Sequence, residues 1–219
     1  MAQAEPGAGE RQVRIPVGIV ELAGSLAVPA TSRGVVLFAH GSGSGRLSPR
    51  NNYVAHVLQQ GGLATLLIDL LTEEEGDDRR LVFDIDLLAS RLLYSTAWLR
   101  EDKQTAALPV GYFGASTGAG AALQAAAREG AAVRAVVSRG GRPDLAVPYL
   151  SQVQAPTLLI VGGEDYPVIE MNRQALALLR STKEMVIVSR ATHLFEEPGT
   201  LEQVARLARD WFVKYLPGE

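Results

Sequence analysis

Three residues stand in the order of a nucleophile, its orienting acid and its base. Ser116 is the centre of Gly114-Ala115-Ser116-Thr117-Gly118. The apolar run Pro109-Val110-Gly111-Tyr112-Phe113 precedes it as a short buried strand, and the alanine-rich run Ala119 to Ala127 follows as a helix. A serine between glycines at a strand-to-helix turn is a nucleophile elbow: the tight turn lifts the hydroxyl above the sheet and the glycines avoid clashes. The bare pattern also arises by chance in a chain with 22 Gly, so its weight comes from the strand before it and the helix after it. Ser116 is expected to attack an acyl carbon.

A serine hydroxyl is protonated at neutral pH and needs a base, and the base needs an orienting acid. In a fold with such an elbow the acid and then the histidine follow the serine in the chain. His193, in Ala191-Thr192-His193-Leu194-Phe195, is the one histidine after Ser116 and falls just beyond the last expected strand, so it is the candidate base. The carboxylates between them are Glu129, Asp144, Glu164, Asp165, Glu170 and Glu184. Glu129, Glu170 and Glu184 fall in or beside helices or before a strand. Asp144 follows the strand next to the elbow. Asp165, at the carboxyl end of the next strand, is the better choice, with Glu164 its immediate competitor. Taken alone, Asp165 reads equally well as a helix cap before Pro167, and His193 as a surface histidine; the joint order at three successive strand ends is what points to a triad.

The tetrahedral intermediate needs hydrogen-bond donors for its oxyanion. The backbone N–H of Thr117, directly after the nucleophile at a helix amino terminus, is one expected donor. The second is expected from the loop His40-Gly41-Ser42-Gly43-Ser44-Gly45, through the N–H of Ser42, with Gly43 as the alternative. His40 reads as a structural residue that hydrogen-bonds this loop. A phosphate cradle is the competing reading of the glycines, but neither Gly-x-Gly-x-x-Gly nor a P-loop Lys-Ser/Thr ending is present, and Arg46 stands where the third glycine would be.

The elements that must position these residues alternate along the chain. Arg11 to Pro16 and Ile19 to Val28 read as an edge hairpin. Gly34 to Ala39, Leu63 to Ile68, Val133 to Ser138, Pro156 to Val161 and Glu184 to Ser189 read as further strands, several of them continuous apolar runs of the kind buried on both faces. Helices are expected over Asn51 to Gln60, Leu81 to Arg100 and Pro167 to Arg180, and over a final segment capped by Thr200 with Gln203 three residues on. The acidic stretch Thr72 to Asp78 reads as a solvated surface turn. This is an α/β fold: a mostly parallel sheet of about eight strands, the first two antiparallel at the edge, with helices on both faces. No insertion before Pro156 is long enough for a lid domain, so an open site is expected.

The 219 residues carry no Pro/Gly/Ser-rich linker, which predicts a flexible tail over residues 1–10 and a single domain over 11–219. A hydrophobic fraction of 47% with 21% charged residues is that of a globular protein. The net charge of −3 gives no reason to expect nucleic acid or an anionic membrane as partner. With no cysteine, disulfides, thiolate catalysis and a Cys-ligated metal are excluded. The amino terminus lacks a basic start followed by an apolar run, and no stretch reaches the roughly 20 apolar residues that span a bilayer. A cytoplasmic monomer or homodimer acting on a small-molecule ester is expected.

His40-Gly41, the Gly114 to Gly118 elbow, Asp165 within Gly-x-x-Asp-x-x-Val (Gly162 to Val168) and His193 together resemble the α/β-hydrolase superfamily, and the lidless build resembles its dienelactone-hydrolase-like branch. The resemblance covers nearly the whole chain after the tail. It implies a catalytic triad of Ser116, His193 and Asp165, no metal and no organic cofactor. Dienelactone hydrolases proper use a cysteine nucleophile, whereas this chain has Ser116, which shifts the expected substrate toward ordinary carboxylic esters. Activity is then expected to fall at acid pH as His193 becomes charged. Arg46, Arg50, Arg139 and Arg142 all fall in loops at the catalytic end of the sheet; pairing with Asp144 or the acidic loop is the favoured reading, recognition of a substrate carboxylate or phosphate the other. A ligand-binding homologue without catalysis, and a thioesterase or acyltransferase on the same triad, are the alternatives to an esterase.

Overall fold

The computed structural model describes residues 9–217. Of the tail expected over residues 1–10, residues 1–8 lie outside the described part, and Glu10 already opens the first strand. β1 (Glu10–Val17) and β2 (Val20–Ala27) form the expected hairpin. Then come β3 (Val35–Ala39), α1 (Pro49–Gln60), β4 (Ala64–Ile68), the single helical turns α2 (Glu73–Gly76) and α3 (Arg79–Val82), and α4 (Ile85–Glu101). The elbow segment is β5 (Val110–Ala115) and α5 (Thr117–Glu129), followed by β6 (Val133–Arg139), α6 (Val147–Leu150), β7 (Thr157–Gly162), α7 (Tyr166–Leu178), β8 (Lys183–Val188) and α8 (Thr200–Tyr215).

The eight strands form one sheet in the order β1-β2-β4-β3-β5-β6-β7-β8. β2 runs antiparallel to both β1 and β4, and every pairing from β4 to β8 is parallel. The apolar strands β3, β4, β5 and β7 are buried along their whole length, as strands covered on both faces must be. One face packs Leu37, Leu66, Tyr112, Val136 and Leu159 against α4, α5 and their neighbours; the other packs Phe38, Phe113, Val137 and Ile160 against α1 and α8. Parallel register brings the carboxyl ends of β3, β5, β6 and β7 to one edge, with Ala39 opposite Gly114 and Ala115 opposite Arg139. Among the described residues, no helix is long and apolar enough to cross a membrane.

The connection from β6 to β7 holds only a short turn at Pro143–Ala146 and α6, so no lid domain sits there. Two expectations change. The final helix is not capped by Thr200, which is its first helical residue; Gly199, at φ +81°, occupies the cap, and the Thr200 hydroxyl donates backwards to the Glu197 carbonyl at 2.7 Å. The longest helix starts at Ile85 rather than Leu81, because Asp84 caps it through Leu87 N–H at 3.0 Å.

The acidic stretch after β4 is likewise not a free solvated turn. Thr72 and Glu75 form a reciprocal capping box around α2, and both Glu75 oxygens accept from Arg91 at 2.6 Å. Arg91 is buried on α4 and also donates to the Leu70 carbonyl at 2.7 Å, so the pair fastens α2 to the core. The Arg91 hydrogen bonds hold the Glu75 carboxyl far down, at about 2 against an ordinary 4.5. Because the folded value lies below the unfolded one, this pair's stabilisation is present at neutral pH and is lost as pH falls from about 4.5 toward 2. Glu75→Gln is expected to cost about 1–3 kcal/mol at pH 7. In urea melts repeated across pH, its deficit relative to the parent protein should shrink below about pH 4.5; a deficit constant across pH contradicts this role.

Candidate active site

The elbow is built as its glycines require. Ser116 sits at φ +51° and ψ −122°, a strained conformation for a residue with a side chain. Its N–H donates to the Arg139 carbonyl at 3.2 Å, and its own carbonyl accepts from Ala119 and Arg142, so strand, helix and the next loop together hold the turn. A side chain at Gly114 would meet the backbone nitrogen of Ala119 at 2.8 Å, and one at Gly118 would fall on the carbonyl oxygens of Ala39 and His40. Both positions must be glycine for α5 to start so close to β3 and β5.

Beyond β8, the loop bearing His193 is pinned from several sides. Phe195 is fully buried at φ +56°, and the Glu197 carboxylate accepts from both the N–H and the hydroxyl of Thr192, at 3.1 and 2.6 Å. Gly162 lets the loop pass: a side chain there would lie 2.6 Å from the Thr192 carbonyl oxygen. The loop brings the His193 imidazole between Ser116 and Asp165. Nδ1 donates to Asp165 Oδ2 at 2.6 Å, and Nε2 lies 3.4 Å from Ser116 Oγ. Hydroxyl, imidazole and carboxylate thus stand in one row.

The competing carboxylates are engaged elsewhere. Glu164 accepts from the Tyr166 hydroxyl at 2.9 Å on the surface, and Asp144 forms a two-point pair with Arg142 at 2.8 and 2.7 Å. His40 is a structural clamp. Its Nε2 accepts from Leu70 N–H at 2.8 Å, which leaves Nδ1 to carry the proton and donate to the Gly41 carbonyl at 2.9 Å. Burial pushes its pKa down, which keeps it neutral in this role.

Ser42 and Thr117 do meet beside Ser116, but in a way the sequence does not foretell. The Ser42 N–H donates to the Thr117 side-chain hydroxyl at 3.1 Å, tying the glycine loop to the first turn of α5. Gly43, at φ +67°, has open space where a side chain would be and lines a cleft of about 330 Å³. This cleft is lined by Ser42, Thr117 and Arg46, with Leu71, Val82 and Leu88 supplying apolar surface. Of the four arginines at this end of the sheet, Arg46 pairs with Asp69, Arg142 with Asp144 and Arg50 with Glu196. Arg139 makes no ion pair or side-chain hydrogen bond among the described residues.

Comparison with known proteins agrees with this architecture. The solved dienelactone hydrolase from Anabaena variabilis is 62% identical and superposes with a TM-score of 0.92, covering 94% of this chain and 98% of its own. A serine hydrolase without a lid from Xanthomonas campestris is 18% identical, with a TM-score of 0.79 over 99% of this chain and all of its own, and shares the fold. Two curated relatives from Mycobacterium tuberculosis, whose names propose a phosphoribosyl transferase, are 60% identical over 217 residues. That match takes in 99% of this chain and 49% of theirs, so the chain spans about half the length of the curated relatives it matches. Residues 23–212 match the model of the dienelactone hydrolase family. With an eight-stranded α/β-hydrolase sheet, that family match and a 62%-identical solved relative, the chain belongs to the dienelactone hydrolase family.

Proposed function

We propose that this hydrolase cleaves carboxylic esters of small substrates through Ser116, His193 and Asp165, by way of an acyl-enzyme. The reading rests above all on the row of contacts from Asp165 Oδ2 to His193 Nδ1 at 2.6 Å and from Nε2 to Ser116 Oγ at 3.4 Å. The second contact is long, as such contacts commonly are before substrate arrives. Ser116 Oγ attacks the ester carbon while its proton passes to Nε2, and Asp165 stabilises the imidazolium. The oxyanion takes the N–H of Thr117 and that of Ser42, the latter released as the Thr117 hydroxyl turns aside, with Gly43 N–H as the alternative donor. Nε2 then protonates the departing alcohol. A water, deprotonated by the same nitrogen, releases the acid and restores Ser116.

The cleft of about 330 Å³ suits an acyl or alcohol group of modest size, with its apolar wall at Leu71, Val82 and Leu88. The phosphoribosyl transferase name is read as belonging to the half of those relatives that this chain does not span, because the hydrolase family model accounts for residues 23–212 here. Asp165→Asn is the direct test of the acid. An amide would favour the wrong imidazole tautomer, and kcat on a p-nitrophenyl ester should fall about 10³- to 10⁴-fold with the fold intact. Full activity in that variant would remove Asp165 from the mechanism. A screen across ester chain lengths, with lactones and thioesters included, reads out the preferred substrate.

A further inference from the structure

Asn172 is a wholly buried amide outside the catalytic row. It lies on α7, 0% exposed, and both protons of its amide are engaged: Nδ2 donates to the Gly141 carbonyl at 3.0 Å and to the Val168 carbonyl at 2.8 Å. The two carbonyls fix which way the amide faces, because a flipped side chain would set oxygen against oxygen. Its Oδ1 is left buried without a hydrogen-bond partner. A leucine of similar shape would bury no polar atom here, so packing alone does not account for the amide.

The bond to Gly141 joins two parts of the site. Gly141 belongs to the loop after β6 that grips the nucleophile from both sides: the Arg139 carbonyl accepts from the Ser116 N–H at 3.2 Å, and the Arg142 N–H donates to the Ser116 carbonyl at 3.0 Å. That loop is pressed on the start of α5, since a side chain on Gly141 would overlap the Ser138 hydroxyl and lie 2.6 Å from Ala119 Cβ. A displacement of Gly141 therefore reaches Ser116. The other end of the bond is anchored in α7, whose cap is Asp165. Seven residues separate Asp165 from Asn172, within about 20° of two full helical turns, so the two share one stripe of the helix. At its Asp165 end α7 has only a small apolar anchor, in which Val168 and Ile169 pack with Val161 and the partly buried Met185. Among the described residues, the Asn172 amide makes the one side-chain hydrogen bond between α7 and the loop that holds Ser116.

We propose that Asn172 is a positioning residue for ester hydrolysis: its bond to Gly141 locks the helix that carries Asp165 to the loop that holds Ser116, and so sets the gap that His193 bridges. This role rests on the triad reading for its catalytic consequence and on the hydrogen bonds alone for the coupling. The His193 Nε2 to Ser116 Oγ contact is already long at 3.4 Å, so a drift of α7 should slow acylation more than it weakens substrate binding.

Three variants separate this from a plain packing role. Asn172→Ser keeps a hydroxyl that can donate to the Val168 carbonyl one turn back, but it is too short to reach Gly141. Asn172→Leu removes both bonds and fills the space. Leu179→Ala removes buried packing at the end of α7 opposite Asp165 and serves as the destabilised control. Kinetics on a p-nitrophenyl ester are measured well below each melting transition, together with the rate of fluorophosphonate labelling and the downfield proton NMR signal of the His193 Nδ1–H. Both Asn172 variants should lose about 10- to 100-fold in kcat with KM within about threefold, label more slowly in proportion, and show that proton signal moved or broadened. Leu179→Ala should melt earlier yet keep kcat within about threefold of the parent's. If Asn172→Leu does not fold, Asn172→Ser carries the comparison. Parental kcat in folded Asn172→Ser, or an equal loss in Leu179→Ala, overturns the positioning role and leaves the triad reading standing. A parent protein that cleaves no ester and takes no label on Ser116 overturns the triad reading; an unchanged His193 signal in Asn172→Ser then overturns the coupling as well, and a changed one supports it.

Discussion

Replacing Ser116 with alanine is expected to lower kcat for ester hydrolysis by about 10⁴- to 10⁶-fold while leaving the melting temperature near that of the parent protein. The Ser116 hydroxyl stands against Nε2 of the imidazole that Asp165 holds, so its loss removes the atom proposed to form the acyl-enzyme. The remaining hydrolysis would come from binding and from the oxyanion donors alone, acting on a water. Stability should hold because alanine keeps the elbow's backbone hydrogen bonds and meets the same strain at φ +51° that serine does. Steady-state kinetics on a p-nitrophenyl ester, with a melt on the same preparation, checks both halves. A kcat within tenfold of the parent's would place the nucleophile elsewhere.

Gly118→Ala should do the reverse and damage the fold first. Its added methyl would fall on the carbonyl oxygens of Ala39 and His40 and lie 2.6 Å from the Ala39 carbonyl carbon. All of these are backbone atoms at the end of a fully buried strand, so none can swing away as a side chain would. Relief requires α5 to move off β3, which separates Thr117 from Ser42 and shifts the proposed oxyanion donors. Overpacking of this kind costs about 1–3 kcal/mol where side chains yield, and here roughly 3 kcal/mol or more is expected. Gly43→Ala is the control: it also changes a glycine of the site, but the space there is open and the cost is that of a left-handed residue, about 1–2 kcal/mol. Urea melts on the two variants should rank Gly118→Ala well below Gly43→Ala, and equal stabilities would contradict the close packing at the elbow.

Most of the sheet is legible in the sequence because its strands are continuous apolar runs, and a parallel strand covered on both faces has little freedom to be anything else. The elbow is legible for a similar reason: only glycine fits at positions 114 and 118. What stays hidden are pairings between distant segments. The acidic stretch after Thr72 looks like solvated surface until Arg91 is seen to pair with Glu75 from 16 residues further along the chain. A signal was nevertheless there, since Arg91 lies on the same helical stripe as Leu88, Leu92 and Ser95, and an arginine on a buried stripe needs a carboxylate. Asp84 carried a similar signal, as a helix cap just before the apolar stripe of α4. The capture of the Ser42 N–H by the Thr117 hydroxyl had no such marker, because it depends on how closely two loops approach. Nor could the sequence separate Arg139 from Arg46, Arg50 and Arg142: all four read as loop residues at the catalytic end of the sheet, and only the fold reveals which three have partners.

Covalent labelling with a fluorophosphonate tests the central assignment most directly, because the probe reports a serine activated by a base without regard to the natural substrate. Intact-protein mass spectrometry should record one adduct, peptide mapping should place it on Ser116, and His193→Ala should abolish it. Full-length folded protein that takes up no probe, or takes it up on another residue, would contradict the account.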